Sequence, residues 1–600
     1  MLSARPLALT LTLCAASATA QAPAAKTQRF PHHGPVAVFA GVPGAYGDVH
    51  LYDVENGVAH ATPRELADLH LLPIDFVGRT ELETFAPDRA RLRQDVPGAS
   101  RLELPGRSGY LYRYERRVPA GAVFGYLWVR PEGGVAVRAE RAGVGPAGIG
   151  DPFGRRIAVD PGGAAFLVAT TLDAGGDLIE VDVETGVETD RTPHLAPLDV
   201  SDASLWLHAE WGFAIATGGL VRFERTPGAV ATSVAFVGGS PPTWFSGQAV
   251  VSQNRGFALT TAGAAPDRAR PFVFGRGGDA REVEPTERRL SGAGFLPESP
   301  HGPYMAVDDD GLTAAWRVEG ASREVMLGRL AAPAVEVTGD AFFLDTLDEI
   351  GEMFFARIGR LIAAIGELHL APGGSGFEAI DVFHIELDAG GAPRFTNITL
   401  TSGDAAAPFD VAGDLEPELV RWIPGGEALL MQDSNTECLL AADPGVSGAR
   451  LLLDAAKDVD FVELVGDHVV AGVRRELDPR RREIHRFDAD LSNRVRLVVD
   501  SGDVEYSHAV ARSRDTLGYR TSDDFGLGGA FRLRVTDGTL EAFPGGPARY
   551  LGPTGYTARG AQLVTQGPVA GPVLFFAWPR QGSPLTLRAP SGPGFVLPGR

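Results

Sequence analysis

The chain has 600 residues and a formal net charge of −21, with 76 acidic against 55 basic side chains. Nucleic-acid binding relies on clustered lysine and arginine that displace counterions, so this balance argues against that class of partner. The only cysteines are Cys14 and Cys438; Cys14 lies in an N-terminal apolar run, so no internal disulfide is expected and stability must come from buried apolar surface.

Arg5 precedes an apolar run from Leu7 to Ala16, which is too short for a membrane-spanning helix of roughly 20 residues. Ala18-Thr19-Ala20 has the form that a signal peptidase reads, so residues 1–20 are expected to be an export signal cleaved before Gln21. Bulky Leu13 ahead of Cys14 argues against a lipid anchor. Residues 21–34, rich in Ala and Pro and holding His32-His33, read as a flexible leader. No later segment is an uninterrupted apolar run of about 18 residues, so no transmembrane segment is expected and the protein should be exported to the periplasm or beyond, as a monomer.

The chain has 75 glycines and 44 prolines, and from residue 35 to residue 600 they fall between short apolar runs, which suits many tight turns between strands. The best-formed unit runs from Arg155 to Thr192. It has Ile157-Ala158-Val159, a turn at Asp160-Pro161-Gly162-Gly163, the run Ala165 to Thr171, a turn near Gly175-Gly176, and then Ile179 to Glu184, where apolar and acidic residues alternate. A period of two places one face inward and one in water. The same plan recurs over Tyr304–Thr338, with a turn at Asp309-Asp310-Gly311, and over Leu419–Leu453, with a turn at Pro424-Gly425-Gly426. Asp48 to Gly57 aligns without gaps on Asp177 to Gly186. Looser units start near Leu102, Leu205, Val250, Phe461, Ala509 and Tyr556, at the spacing of propeller blades, roughly 40–50 residues.

The expected fold is therefore all-β, a β-propeller of four-stranded blades forming one large ring or two rings that divide near 340–350. Radial stacking buries both faces of each sheet, which no sheet of this sort can do alone. β-Sandwiches are the alternative. One segment, 346–369, admits two readings. Leu347, Ile350, Phe354, Ile358, Leu361, Ile365 and Leu368 recur at helical spacing, and Thr346 with Glu349 forms a capping box. Gly351, Gly359 and Gly366, each costing about 1 kcal/mol in a helix interior, favour a strand pair instead.

The Asp-Pro-Gly-Gly, Asp-Asp-Asp-Gly and Ile-Pro-Gly-Gly turns, with the strand end Asp182-Val183-Glu184-Thr185-Gly186, resemble the strand-turn-strand element of TolB-like and WD40-like bacterial propellers. That resemblance implies a propeller acting as a periplasmic binding or assembly module. The Ser-Pro-Asp-Gly form of the turn is not present.

Catalytic motifs are sparse. No G-x-S-x-G elbow occurs, and Gly373-Gly374-Ser375-Gly376 lacks its spacing, so a serine peptidase domain is not expected. The 13 histidines include no H-E-x-x-H, and Asp308-Asp309-Asp310-Gly311 and Asp523-Asp524 read as solvated turns, so no metal and no cofactor is expected. The arginines at 474, 475 and 480–482, interleaved with Glu476, Asp478 and Glu483, read as a solvated loop. Cys438 reads as a small buried hydrophobe, and the tryptophans as individual core or rim aromatics. The leading expectation is a non-catalytic module that binds a protein, peptide or glycan through loops at one mouth of the ring. The alternative is a secreted lyase or glycoside hydrolase whose residues gather in the central channel from separate blades.

Overall fold

The computed structural model describes most of the chain from Val36 to Val596. Segments 1–35, 77–89, 193–202, 283–304, 337–346, 399–416 and 597–600, with a number of shorter turns, lie outside the described residues. The expected export signal, leader and Asp308–Gly311 turn therefore fall outside them, as does part of the division expected near 340–350. Among the described residues the single helical turn is Arg64–Leu66; the rest of the regular structure is strand. No helix there is long and apolar enough to cross a membrane.

The strands form eight four-stranded sheets, one five-stranded sheet and two six-stranded sheets, nearly all antiparallel and mostly in chain order. The unit around Asp160 becomes Phe153–Val159, Ala165–Thr170, Leu178–Asp182 and Glu188–Asp190, side by side. The other two well-formed units likewise become single sheets, one from Met305–Val307 to Val335–Glu336 and one from Pro417–Ile423 to Arg450–Leu453. In the first sheet, Val58–His60, Asp48–Asp53 and Val36–Ala40 are followed by the C-terminal strand Phe595–Val596, with Val38 opposite Val596 and Phe39 opposite Phe595. Asp48–Asp53 is second from the edge strand Val58–His60 of its sheet, as Leu178–Asp182 is second from the edge strand Glu188–Asp190 of its own. The sequence match between these two segments is thus a match of equivalent strands.

Apolar side chains from consecutive sheets meet in shared cores. One cluster joins Ala158, Leu167 and Leu178 to Leu205, Ala214 and Val221 of the next sheet. Another joins Ile423 and Leu430 to Val469 and Phe487, and a third joins Val470 and Ile484 to Leu517 and Leu533. The first strands lie against one another, Phe153–Val159 on Ser204–Leu207 and Ala456–Val465 on Glu505–Ser513. The turns below them pack closely as well. Gly163 has φ 64°, and a Cβ there would overlap the Pro105 carbonyl oxygen of the preceding sheet; Gly466, also at φ 64°, is pressed in the same way on the Arg514 carbonyl.

One open reading is decided and one expectation is corrected. Segment 346–369 is not helical: Leu347–Arg357 and Arg360–Leu370 are antiparallel strands, extended by Gly376–Leu387. Register shifts between Leu347 and Glu349, Ile350 and Met353, and Phe355 and Arg357 absorb the spacing of three and four within a strand. Arg480 lies exposed in a connection as expected, but the other arginines of this group do not form a solvated loop. His468–Arg475 and Arg481–Asp488 pair as strands, with Arg475 and Arg482 buried and Glu483 0% exposed. Carboxylates beside the guanidiniums let both signs enter the interior. Cys438 is half-buried at the start of Cys438–Ala442, and Trp128 and Trp211 are core residues, Trp211 stacked on Phe213.

Candidate functional site

In a meander of four antiparallel strands, the start of the first strand, the turn between the second and third, and the end of the fourth share one end of the sheet. Residues of the first three sheets meet at such an end, from the connections ahead of Asp48–Asp53 and Phe153–Val159 and from the strands Leu69–Leu72 and Tyr110–Val118. Tyr46 enters ahead of Asp48–Asp53, next to Gly47, whose backbone exchanges two hydrogen bonds of 2.7 Å with Leu69. His70 lies on Leu69–Leu72, directly opposite Glu115 on Tyr110–Val118. Asp151 precedes Phe153–Val159, where its Oδ1 accepts the Phe153 N–H at 2.9 Å.

Tyr110–Val118 organises the group by alternation. Tyr110, Tyr112 and Tyr114 join the core shared with Phe39 and Val49, while Arg113, Glu115 and Arg117 occupy the opposite face. The Tyr46 hydroxyl donates to Glu115 Oε1, and the other carboxylate oxygen is 3.9 Å from His70 Nδ1. The His70 and Tyr46 rings are 5.4 Å apart, and the Arg117 guanidinium sits 4.6 Å from the Tyr46 ring centre. Arg113 donates to Asp151 through Nη2. On the reverse face Tyr114 donates to Glu140 at 2.6 Å, and Arg116 bonds the same carboxylate. His70 and Glu115 are about one-quarter exposed, at 24% and 21% for their side chains, so solvent reaches the pair.

Burial, then the hydrogen bond to Glu115, raises the Tyr46 phenol above its usual value, so at neutral pH it is a donor and not a base. Burial also raises the Asp151 carboxyl, and the Arg113 guanidinium opposes that shift. Tyr126, on the strand beside Arg113, is pushed up to about 12 by burial. The group therefore offers a guanidinium, a phenol already committed to Glu115, an imidazole edge and two carboxylates.

Other charged clusters are closed. Arg225 reaches from one sheet to Glu180 at 2.7 Å and Asp160 at 3.2 Å in the preceding sheet, and Arg191 holds the other Glu180 oxygen at 3.0 Å while donating to the Thr226 and Ala229 carbonyls. Asp160, Glu180 and Arg191 are buried. This cluster ties two sheets together. Asp523 also has a local role: its Oδ1 accepts the Leu527 N–H at 2.7 Å. Among the described residues no group of three or more His, Cys, Asp or Glu is placed to hold a metal ion.

None of Tyr46, His70, Glu115, Arg117 and Asp151 is singled out by a sequence motif, because they come from four separate segments. The legible signal was the alternation of Arg113, Glu115 and Arg117 with three tyrosines.

No protein-family model matches the chain, and no curated protein sequence matches it. Solved structures do match, 554 chains in all. One is a prolyl endopeptidase at 11% identity and a TM-score of 0.28, with 70% of this chain and 53% of that chain covered. Prolyl oligopeptidase B from Galerina marginata matches at 11% and 0.26, with 61% and 52% covered. A TolB protein from Agrobacterium tumefaciens matches at 11% and 0.22, with 51% and 81% covered. This chain spans about half the length of those two peptidases.

Proposed function

We propose that the sheets are blades of a propeller whose ring is closed by the pairing of Val36–Ala40 with Phe595–Val596, and that the protein is an exported binding or assembly module. Its ligand, a protein, peptide or glycan, docks at the end of the blades where Tyr46, His70, Glu115, Arg117 and Asp151 meet. The observation that carries this reading is that group itself: it is drawn from three sheets, half-open, fixed by hydrogen bonds and internally matched in charge. Groups held on rigid sheets but reached through loops are where recognition concentrates. Contact of Met305–Val307 and Arg323–Arg329 with Leu347–Arg357 supports continuous stacking across the expected division.

A channel lyase or glycoside hydrolase is the second reading. It is favoured by one observation, the raised Asp151 carboxyl, which feels the Glu115 charge. The two are separated by presenting the immobilised chain and its Arg117→Ala variant to glycan and peptide arrays, with polysaccharide turnover assayed in parallel. A ligand that the variant holds about tenfold more weakly supports the binding module. Turnover abolished by Glu115→Gln would establish the enzyme instead.

A further inference from the structure

The sheet formed by Ala456–Val465, His468–Arg475, Arg481–Asp488 and Val495–Ser501 carries a buried charge cluster on the face toward Pro417–Leu453. Glu483 is 0% exposed, and its Oε2 takes Arg475 Nη1 and His485 Nε2, each at 2.9 Å. Its Oε1 takes Arg496 at 3.2 Å, with Arg481 Nε at 3.6 Å. Arg475 also reaches Asp454, in the connection from the neighbouring sheet, at 2.8 Å. His485 is 2% exposed, and among the described residues its Nδ1 has no hydrogen-bond partner.

The tautomer follows from these contacts. Nε2 carries the proton and donates to Glu483, and Nδ1 is bare. One carboxylate already faces three guanidiniums, of which Asp454 offsets one, and Arg494 adds a further positive charge nearby. A proton on Nδ1 would place another positive charge among them with no acceptor to receive it. Toward Glu505–Ala542 the same sheet presents Asp460, Arg474 and Arg482, with Asp458 paired to Arg474. There Arg482 donates to Asp460, and the Tyr506 hydroxyl bonds Asp500 at 2.9 Å and the Arg482 carbonyl at 3.2 Å.

We propose that the Glu483–His485 cluster is an acid-released latch, in which protonation of His485 loosens this sheet from the Pro417–Leu453 sheet. Burial lowers the imidazole to about 4; the Glu483 carboxylate opposes the shift, and Arg494 and Arg475 add to it. A histidine lowered in the folded state is uncharged there while the opened state is already taking up protons. Stability contributed by the neutral ring is complete above the ordinary value of about 6.5, and falls as pH drops from there toward 4. Across that window the opening equilibrium rises by up to about two orders of magnitude.

The test is amide hydrogen exchange on the full chain between pH 7 and pH 4.5, corrected for intrinsic rates. Wild type should lose protection in His468–Arg475 and Arg481–Asp488 as pH falls, while Ala165–Thr170, whose seam is held by Glu180 and Arg191, keeps it. His485→Gln retains an amide donor for Glu483 and cannot titrate, so its profile should be flatter by about tenfold or more at the acid end. Ring titration of His485 by NMR in labelled wild type needs no variant, and its onset should coincide with the loss of protection. The latch is overturned by equal acid profiles in wild type and His485→Gln, or by a ring that titrates near 6.5 with no change in protection.

Discussion

Replacing Gly163 by alanine tests the packing between consecutive sheets. Gly163 adopts φ 64°, a left-handed conformation that costs an alanine about 1 kcal/mol. The added Cβ also meets the Pro105 carbonyl oxygen inside van der Waals contact, with Leu104 Cβ at 3.1 Å and the Pro105 nitrogen at 3.2 Å. Two of these neighbours are backbone atoms that cannot swing aside as the end of a side chain would, and forcing such an overlap costs about 1–3 kcal/mol more. The total is about 2–4 kcal/mol. Gly228 is the control: its φ is 76°, and a Cβ added there would meet nothing within 4 Å, so Gly228→Ala should cost only the backbone part, about 1 kcal/mol. Urea unfolding followed by tryptophan fluorescence reads both, since Trp128 shares a core cluster with Leu104. Equal midpoint shifts in the two variants would refute the claim that these turns are pressed against the adjacent sheet.

Three further outcomes are expected. Arg225→Met leaves Glu180 and Asp160 without the guanidinium that spans two sheets, and should lower stability by about 3 kcal/mol, seen as a fall in Tm. Glu483→Gln leaves Arg475, Arg481 and Arg496 around an uncharged amide, and should cost about 3–5 kcal/mol by denaturant titration, more than any other single polar substitution in that sheet. Tyr46→Phe removes one hydrogen bond to Glu115 at a half-exposed position; it should cost about 1 kcal/mol in stability and weaken ligand binding measured by calorimetry.

Much of the architecture was legible because its signals are local. Asp160-Pro161-Gly162-Gly163 announces a turn since proline fixes one dihedral, glycine permits a positive one, and the Asp160 carboxylate accepts the Ala165 N–H at 2.9 Å. The alternation in Ile179 to Glu184 announced a strand for the same kind of reason. Segment 346–369 was ambiguous because bulges let apolar residues at spacings of three and four sit in strands, and a bulge leaves no fixed mark in sequence. The arginines near 480 misled because exposure was inferred from charge, whereas pairing with Glu483, Asp454 and Asp460 is what permits their burial. The candidate site was hidden for a different reason. His70 and Glu115 face each other only because Leu69–Leu72 adds to the edge of Tyr110–Val118, a long-range pairing that residue spacing does not encode.

In the proposed propeller a closed ring would set the group of Tyr46, His70, Glu115, Arg117 and Asp151 at a common mouth, so that mouth stands or falls with closure by the terminal strands. Val38 and Val596 are opposed in adjacent antiparallel strands, where Cα atoms stand about 4.5–5.5 Å apart, within disulfide range. The direct measurement is cross-linking of Val38→Cys with Val596→Cys in a chain starting at Gln21 and carrying Cys438→Ser. Closure predicts a rapid intramolecular disulfide in the monomer under mild oxidation, found by mass spectrometry as a peptide joining the two ends, with no loss of Tm. Thiols that stay free, or that link only between molecules, would contradict closure by the terminal strands and with it the shared mouth.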